Sequence, residues 1–366
     1  MKKERLIFLD LMRAFAVMMM VQGHTTDVVL AQEYRTFESF GYFIWLTVRG
    51  FTAPIFMFTS GVVFTYLLIR NGQKFSENPR IKKGFKRFLL LVGVGYLLRY
   101  PTFTLIDFSS VTDQQWRIFF TVDALHLIGF GLLFVIITYY LSEKLRLPFY
   151  LTSGLAALTF IAGFPFTEKI EWINYLHMGL AGYMYKGTGS YFPFFPWAGY
   201  VLAGSMFGYF LGNHAELVKK PKFSFGLFSA GLGFLLLSLI IFEIAVYAGI
   251  RQSFWNSDYS LVFFRLGVVL LLYAVFHLFS RYLKNIPKLI FDIGKNTLPV
   301  YAAHLILLYG SAWNPGFYLL INKHFSLTGT IFAVLIMWAL MVTLVYYIEK
   351  FKEKRKLKNA LAPAEV

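Results

Sequence analysis

The chain has 366 residues, of which 57% are hydrophobic, 20% aromatic and 15% charged, and its mean hydropathy is +0.59. A soluble domain carries about 25% charged residues, so this composition excludes an ordinary soluble enzyme and implies a polytopic membrane protein with Phe and Tyr facing lipid and its interfaces. The lack of cysteine removes disulfides, thiolate metal sites and thiol nucleophiles, and the net charge of +16 has to be explained by position before nucleic acid is invoked.

An apolar window of about 20 residues marks ten candidate spans, near 6–30, 46–69, 87–105, 118–141, 147–166, 193–212, 224–248, 259–280, 289–311 and 325–348. The basic leader MKKER runs into the first without a small-residue cleavage site, which reads as a retained span and not a signal peptide. That first span carries Asp10, Arg13 and His24. A charge at membrane depth costs roughly 2.5–3.5 kcal/mol on insertion scales, so such residues face a protein interior or a wet cavity. At about 100° per residue, Asp10 and Arg13 lie about 60° apart, and His24 returns to within about 20° of Arg13, about 16 Å further along the axis. The three form a stripe suited to a ligand running across the membrane. The competing reading is a buried Asp10–Arg13 ion pair that only fixes helix packing, with His24 solvated near the interface.

In the second span, FTAPIFMFTSGVVF, Pro54 predicts a kink and Gly61 a close helix approach, with Thr59 and Ser60 satisfying freed backbone groups. The fourth span places Asp123 and His126 three residues apart on one helix face, either as an acid–base pair or as a packing hydrogen bond. The longest outer connection, 167–192, reads as an outward cleft for a sugar or as an interfacial lid. PFFPWAGY (193–200) opens the next span with Pro196 and an interfacial Trp197. Arg265 begins the eighth span on its outer side, and the ninth holds Lys295 and Asn296 in its inner half and His304 in its outer half. His277, His177, His214 and His324 read as interfacial or loop residues, and no metal-ligand spacing is present.

Basic residues alternate between the loops. Lys2, Lys3 and Arg5, the 70–87 loop, Lys144 and Arg146, Lys219, Lys220 and Lys222, Arg281, Lys284 and Lys288, and the tail from Lys350 to Lys358 fall on one side. The opposite loops hold only Arg35, Arg117, Lys169, Lys186, Arg251 and Lys323. The positive-inside rule then makes both termini cytoplasmic, which agrees with an even number of spans and accounts for the charge without nucleic acid. The expected fold is an all-α helix bundle of about ten transmembrane helices, one domain over 1–348, followed by a basic cytoplasmic tail over 349–366. Two tiers of polar residues result. Arg13, Lys295 and Asn296 offer positive charge and donors on the inner side, suited to an anionic ligand. His24, Asp123, His126 and His304 lie on the outer side and have the residue types for proton transfer.

The first span resembles the first-helix signature of the membrane acyltransferase superfamily, which includes the acyltransferase-3 family and the heparan-α-glucosaminide N-acetyltransferase-like family. The shared pattern is Leu9-Asp10, then Arg13, then His24 after ten intervening residues. GHTTD (23–27) resembles the bacterial heparan-α-glucosaminide N-acetyltransferase-like version more closely. APIFMFTSGV (53–62), DALHLIG (123–129), YFPFFPWAGYVLAGSMFG (191–208) and GKNTLPVYAAH (294–304) resemble further segments of that family, with His126 where relatives carry glutamine.

The resemblance implies transfer of an acetyl group from cytosolic acetyl-CoA, the acyl donor, to an extracytoplasmic sugar amine or hydroxyl, in the inner (cytoplasmic) membrane. It implies His24, Asp123 and His304 as catalytic residues, with His24 as general base or transient acyl carrier. Asp10, Arg13, Lys295 and Asn296 would hold the cofactor, and His126 and Arg265 the acceptor. The partners implied are acyl-CoA, a glycan or other small acceptor and membrane lipids, with room for a homodimer. The rival from another class is a transporter or flippase of a polar or lipid-linked sugar, using the same buried charges as a path; no internal repeat supports it.

Overall fold

The computed structural model describes residues 6–70, 72–249, 259–283 and 285–361. Lys2, Lys3, Arg5, Arg251 and Lys284, all part of the charge bias, lie outside the described residues. In chain order the helices are α1 (Ile7–Val29), α2 (Phe40–Arg49), α3 (Thr52–Ile69), α4 (Pro79–Leu98), α5 (Asp113–Phe119), α6 (Ala124–Leu145), α7 (Phe149–Thr167) and α8 (Met178–Ala181). They continue as α9 (Phe194–Asn213), α10 (Ala215–Val218), α11 (Lys222–Tyr247), α12 (Tyr259–Tyr282), α13 (Lys288–Lys295), α14 (Thr297–Tyr309), α15 (Phe317–Ile321) and α16 (Leu327–Leu361). Strand pairing among the described residues is limited to a short hairpin, Gly310–Ser311 with Asn314–Pro315, and an isolated bridge between Leu30 and Phe325. The chain is an all-α polytopic membrane protein, with seven helical stretches among the described residues long and apolar enough to cross a bilayer.

The differences from the predicted spans have local causes. The 87–105 span begins instead at Pro79, because Asn78 caps the helix through the Arg80 amide and Pro79 occupies the first helical position. Arg80, Lys82, Lys83, Lys86 and Arg87 therefore lie on the first turns of α4 and not in a loop. The 118–141 span starts at Ala124, with Asp123 as its N-cap. The single span predicted over 289–311 is two helices, broken at Asn296, whose backbone is non-helical at φ −101° and ψ 33°. Pro54 does not kink its helix, since it falls in the first turn of α3, where its missing N–H costs nothing; the break lies before it at Gly50–Phe51. The 167–192 connection is ordered, with short helical segments at Trp172–Asn174, Met178–Ala181 and Lys186–Thr188. The basic tail continues α16 as helix to Leu361.

The chain divides into two compact units, Met1–Thr52 with Tyr282–Val366, and Ala53–Arg281. In the first, α1 packs against α13, α14 and α16. Gly294 permits the contact with α13, since a methyl group there would lie 2.6 Å from the Asp10 carbonyl oxygen. The Trp338 indole on α16 donates to the Met18 carbonyl at 2.9 Å, and Phe325 and Lys323 donate backbone N–H groups to Val29 and Val28 at 2.8 and 3.0 Å. The two backbone bonds use carbonyls that the end of α1 leaves without helical partners.

In the second unit, α7 packs on α9 and α4 on α6. Helices α3 and α9 cross backbone to backbone: a side chain at Gly61 would run into the Val201 carbonyl, one at Gly204 into Phe58, and one at Gly208 into Val62. Small residues at such crossings are the usual means of helix association in lipid, where burial of apolar surface gives no net drive. Helices α11 and α12 meet in the same manner at Gly231 and Gly267.

They are also fastened by His277, which is 3% exposed and not interfacial as expected. Its Nε2–H donates to the Val218 carbonyl at 2.7 Å, leaving Nδ1 to accept from the Ser224 hydroxyl at 2.6 Å. His277→Ala strands both groups and opens a cavity, with an expected loss of about 2 kcal/mol. A lowered midpoint of thermal denaturation in detergent is the readout, and Ser224→Ala should lower it less. An unchanged midpoint would remove His277 from the fold's support.

Candidate active site

The C-terminal end of α1 and the adjoining α14 bring two histidines together. Their ring centroids lie 5.4 Å apart, and Tyr309, on the last turn of α14, places its hydroxyl 3.1 Å from His24 Nδ1. His304 is fully buried, and its Nδ1 lies 2.8 Å from the Val300 carbonyl four residues earlier. A carbonyl only accepts, so Nδ1 carries the proton and Nε2 carries the lone pair. That Nε2 has no hydrogen-bond partner among the described residues. A buried acceptor without a donor is costly, and in a native fold it calls for a ligand, a water or a proton to complete it.

Beside these rings, Asp27, three residues after His24, forms an ion pair and hydrogen bond with Arg49 from the end of α2. The Arg49 stem crosses α1 at Gly23, where a methyl group would meet its Cγ at 3.4 Å, and its guanidinium lies 5.4 Å from the centre of the Trp45 ring. Arg35 binds the same end of α1, donating to the carbonyls of Thr26, Asp27 and Leu30 at 2.8–3.2 Å. A cation at a helix C-terminus complements the local dipole. The arrangement gathers a proton acceptor, a phenol and a guanidinium around one end of α1, residue types suited to proton transfer and to stabilising negative charge.

About 16 Å along α1 from His24, Arg13 pairs with Asp10 at 3.9 Å while keeping 25% of its side chain exposed. Asp10 itself is 8% exposed. The Lys295 ammonium donates to Asp292 at 3.0 Å. Asn296 is engaged within the chain: its amide donates to the Asp292 carbonyl at 2.7 Å and to Glu349 at 2.9 Å, while its oxygen accepts from Lys352 at 2.7 Å. Arg13, Lys295 and Asn296 thus all belong to the first unit, with Lys295 and Asn296 each partnered by neighbouring side chains.

The remaining predicted residues belong to the second unit. Asp123 caps α6, its Oδ1 accepting from the Leu125 amide at 2.9 Å and lying 2.9 Å from His126 Nδ1, while Arg99 approaches Oδ2 at 3.5 Å. Of the two expected readings the packing hydrogen bond is present, as part of a capping box that explains the three-residue spacing. His126 is fully buried, edge-on to Tyr96 at 4.4 Å, and its Nε2 has no hydrogen-bond partner among the described residues. Arg265 lies 5.2 Å from the centre of the Trp197 ring. Trp197 Nε1 is buried without a hydrogen-bond partner among the described residues, and the buried Tyr200 hydroxyl faces Arg265. In the neighbouring loop, burial holds the Lys186 ammonium below its ordinary range, opposed by Glu168 and reinforced by Arg265.

Sequence reasoning did not select Tyr309, Asp27 or Arg49 for the site. Asp27 had a local signal, since a residue three beyond His24 shares its helix face. Tyr309 reaches His24, and Arg49 reaches the adjoining Gly23 and Asp27, only through tertiary packing.

A sequence model of the family described as an acyltransferase domain matches residues 6–350, nearly the whole chain. No curated protein matches it.

Proposed function

The chain belongs to this acyltransferase family, and from that premise we propose that it moves an acetyl group from cytosolic acetyl-CoA to a sugar amine or hydroxyl outside the inner membrane. The N-acetyltransferase-like branch fits best, on the GHTTD sequence around His24. The observation that carries the reading is the His24–His304–Tyr309 cluster at one end of a helix whose other end holds Asp10 and Arg13. Their separation of about 16 Å suits a pantetheine arm laid along α1.

In this mechanism Arg13 meets a cofactor phosphate, a pairing for which a guanidinium is well shaped. The thioester carbonyl reaches His24. With Nδ1–H of His24 donated to the Tyr309 oxygen, Nε2 takes the proton from the attacking amine or hydroxyl. The new C–N or C–O bond forms as the C–S bond breaks, and the proton passes to the departing CoA sulfur. Arg49 supplies positive charge near the developing oxyanion, and His304 Nε2 is a second proton acceptor beside His24.

Acetyl-CoA at 100 times its dissociation constant should stabilise the purified protein by about 2.7 kcal/mol. The readout is a raised melting midpoint in detergent, larger than with unrelated nucleotides. If neither acetyl-CoA nor CoA shifts the midpoint and membranes transfer no label from acetyl-CoA, the donor assignment fails.

A further inference from the structure

A cleft of about 720 Å³ lies within the second unit, among α3, α9, α11 and α12, with α10 at its rim. Its α11 wall is one helix face: Phe223, Gly226, Leu227, Ala230 and Phe234 recur at three- and four-residue intervals. The α9 wall has the same period at Ala203, Met206, Phe207 and Phe210. Space exists because small residues stand where these walls face each other; a methyl group at Gly226 would meet nothing within 4 Å. The lining is hydrocarbon and aromatic except at one end, where Lys220 and Lys222 stand.

Those two lysines differ from their neighbour. Lys219 is bonded to Glu216 at 3.2 Å, whereas neither Lys220 nor Lys222 forms an ion pair with a carboxylate among the described residues. The Arg281 guanidinium, donating to the Lys219 carbonyl at 2.5 Å, adds further positive charge to the same rim. From Lys222 to Phe234 the α11 wall rises about 18 Å, close to the depth of one leaflet, about 15 Å of a hydrocarbon core about 30 Å thick. Helix α11 is also open to lipid, with only 17% of its most apolar window buried.

We propose that this cleft binds one anionic phospholipid of the cytoplasmic leaflet, with an acyl chain between α9 and α11 and the phosphate at Lys220 and Lys222. The charge at one end, the length of one leaflet and the lateral opening all fit that occupant. A free nucleotide can stack its base on one phenylalanine but carries no hydrocarbon to cover the rest of an apolar wall about 18 Å long, and a neutral lipid would leave both ammonium groups unpaired. The site is separate from the residues assigned to acyl transfer and holds whether or not that assignment does.

The test uses the full chain, delipidated in detergent and titrated with phosphatidylglycerol or phosphatidylcholine, with bound lipid counted by native mass spectrometry. One phosphatidylglycerol should be retained in preference to phosphatidylcholine. Lys220→Gln with Lys222→Gln should weaken phosphatidylglycerol roughly 30-fold, the loss of two lysine contacts to an anionic headgroup, and leave phosphatidylcholine unchanged. Gly226→Phe fills open space and should exclude the chain while the melting midpoint measured without lipid stays in place. Equal retention of the two lipids, or an unchanged affinity in the double variant, overturns the proposal. So does stoichiometric displacement of phosphatidylglycerol by palmitoyl-CoA, which would make the cleft a donor site.

Discussion

His24→Ala is expected to abolish acetyl-CoA-dependent transfer while the protein stays in the membrane at normal abundance. Loss of a positioned general base costs about 10²- to 10⁴-fold, so turnover should fall to background in a labelled-donor assay on membranes. The neighbouring geometry grades the related variants. Tyr309→Phe removes the partner 3.1 Å from Nδ1 and leaves the imidazole, so it should lower kcat about tenfold or less, as expected for one neutral hydrogen bond. His304→Gln removes the lone-pair nitrogen of a ring whose centroid lies 5.4 Å from that of His24, and should fall between the two. Binding of acetyl-CoA, read from the thermal shift, should survive in all three, because Arg13 and Asp10 are untouched. Normal turnover in His24→Ala would falsify the assignment of His24 as the reacting base.

The largest expected effect on stability comes from Gly204→Leu. The glycine lies where α9 meets the backbone of α3 at Phe58, and a side chain there encounters a carbonyl and its Cα, which cannot swing aside as a side-chain tip can. Overpacking of an interior costs about 1–3 kcal/mol when side chains can adjust, and here the helices themselves must separate. The expected loss is about 3 kcal/mol or more, seen as a collapsed yield of monodisperse protein on size-exclusion chromatography. Gly233→Leu is the control, since a methyl group at Gly233 meets nothing within 4 Å, and it should behave as the parent chain. Equal yields from both would mean that the α3–α9 crossing tolerates separation.

The charged stripe on the first helix was legible because helical period and the cost of burying charge act locally. Asp10, Arg13 and His24 are on one 23-residue helix as the spacing requires. Capping was harder to read. A hydropathy window averages over the residues that start and stop a helix, so Asp123 was absorbed into a span that it in fact caps, and Asn296 into one that it divides. The partners of His24 were out of reach for a different reason. Tyr309 is 285 positions away in the chain, and Arg49 reaches α1 only because Gly23 leaves room for its stem. Contacts at such separation depend on how helices pack, which no local pattern encodes. His304 was selected from its type and span, yet the vacant lone pair that gives it chemical interest depends on the bond to Val300.

The 35 residues of α16 measure about 52 Å end to end, against about 30 Å of hydrocarbon. A helix that crosses such a slab along its normal has roughly 20 Å to spare, and the lysines from Lys350 to Lys358 mark its C-terminal turns as that surplus. A fluorescent reporter or affinity handle joined after Leu361 would be carried on those turns clear of the headgroups. Its orientation would follow the helix, making distance measurements from the label to the bilayer surface directly interpretable.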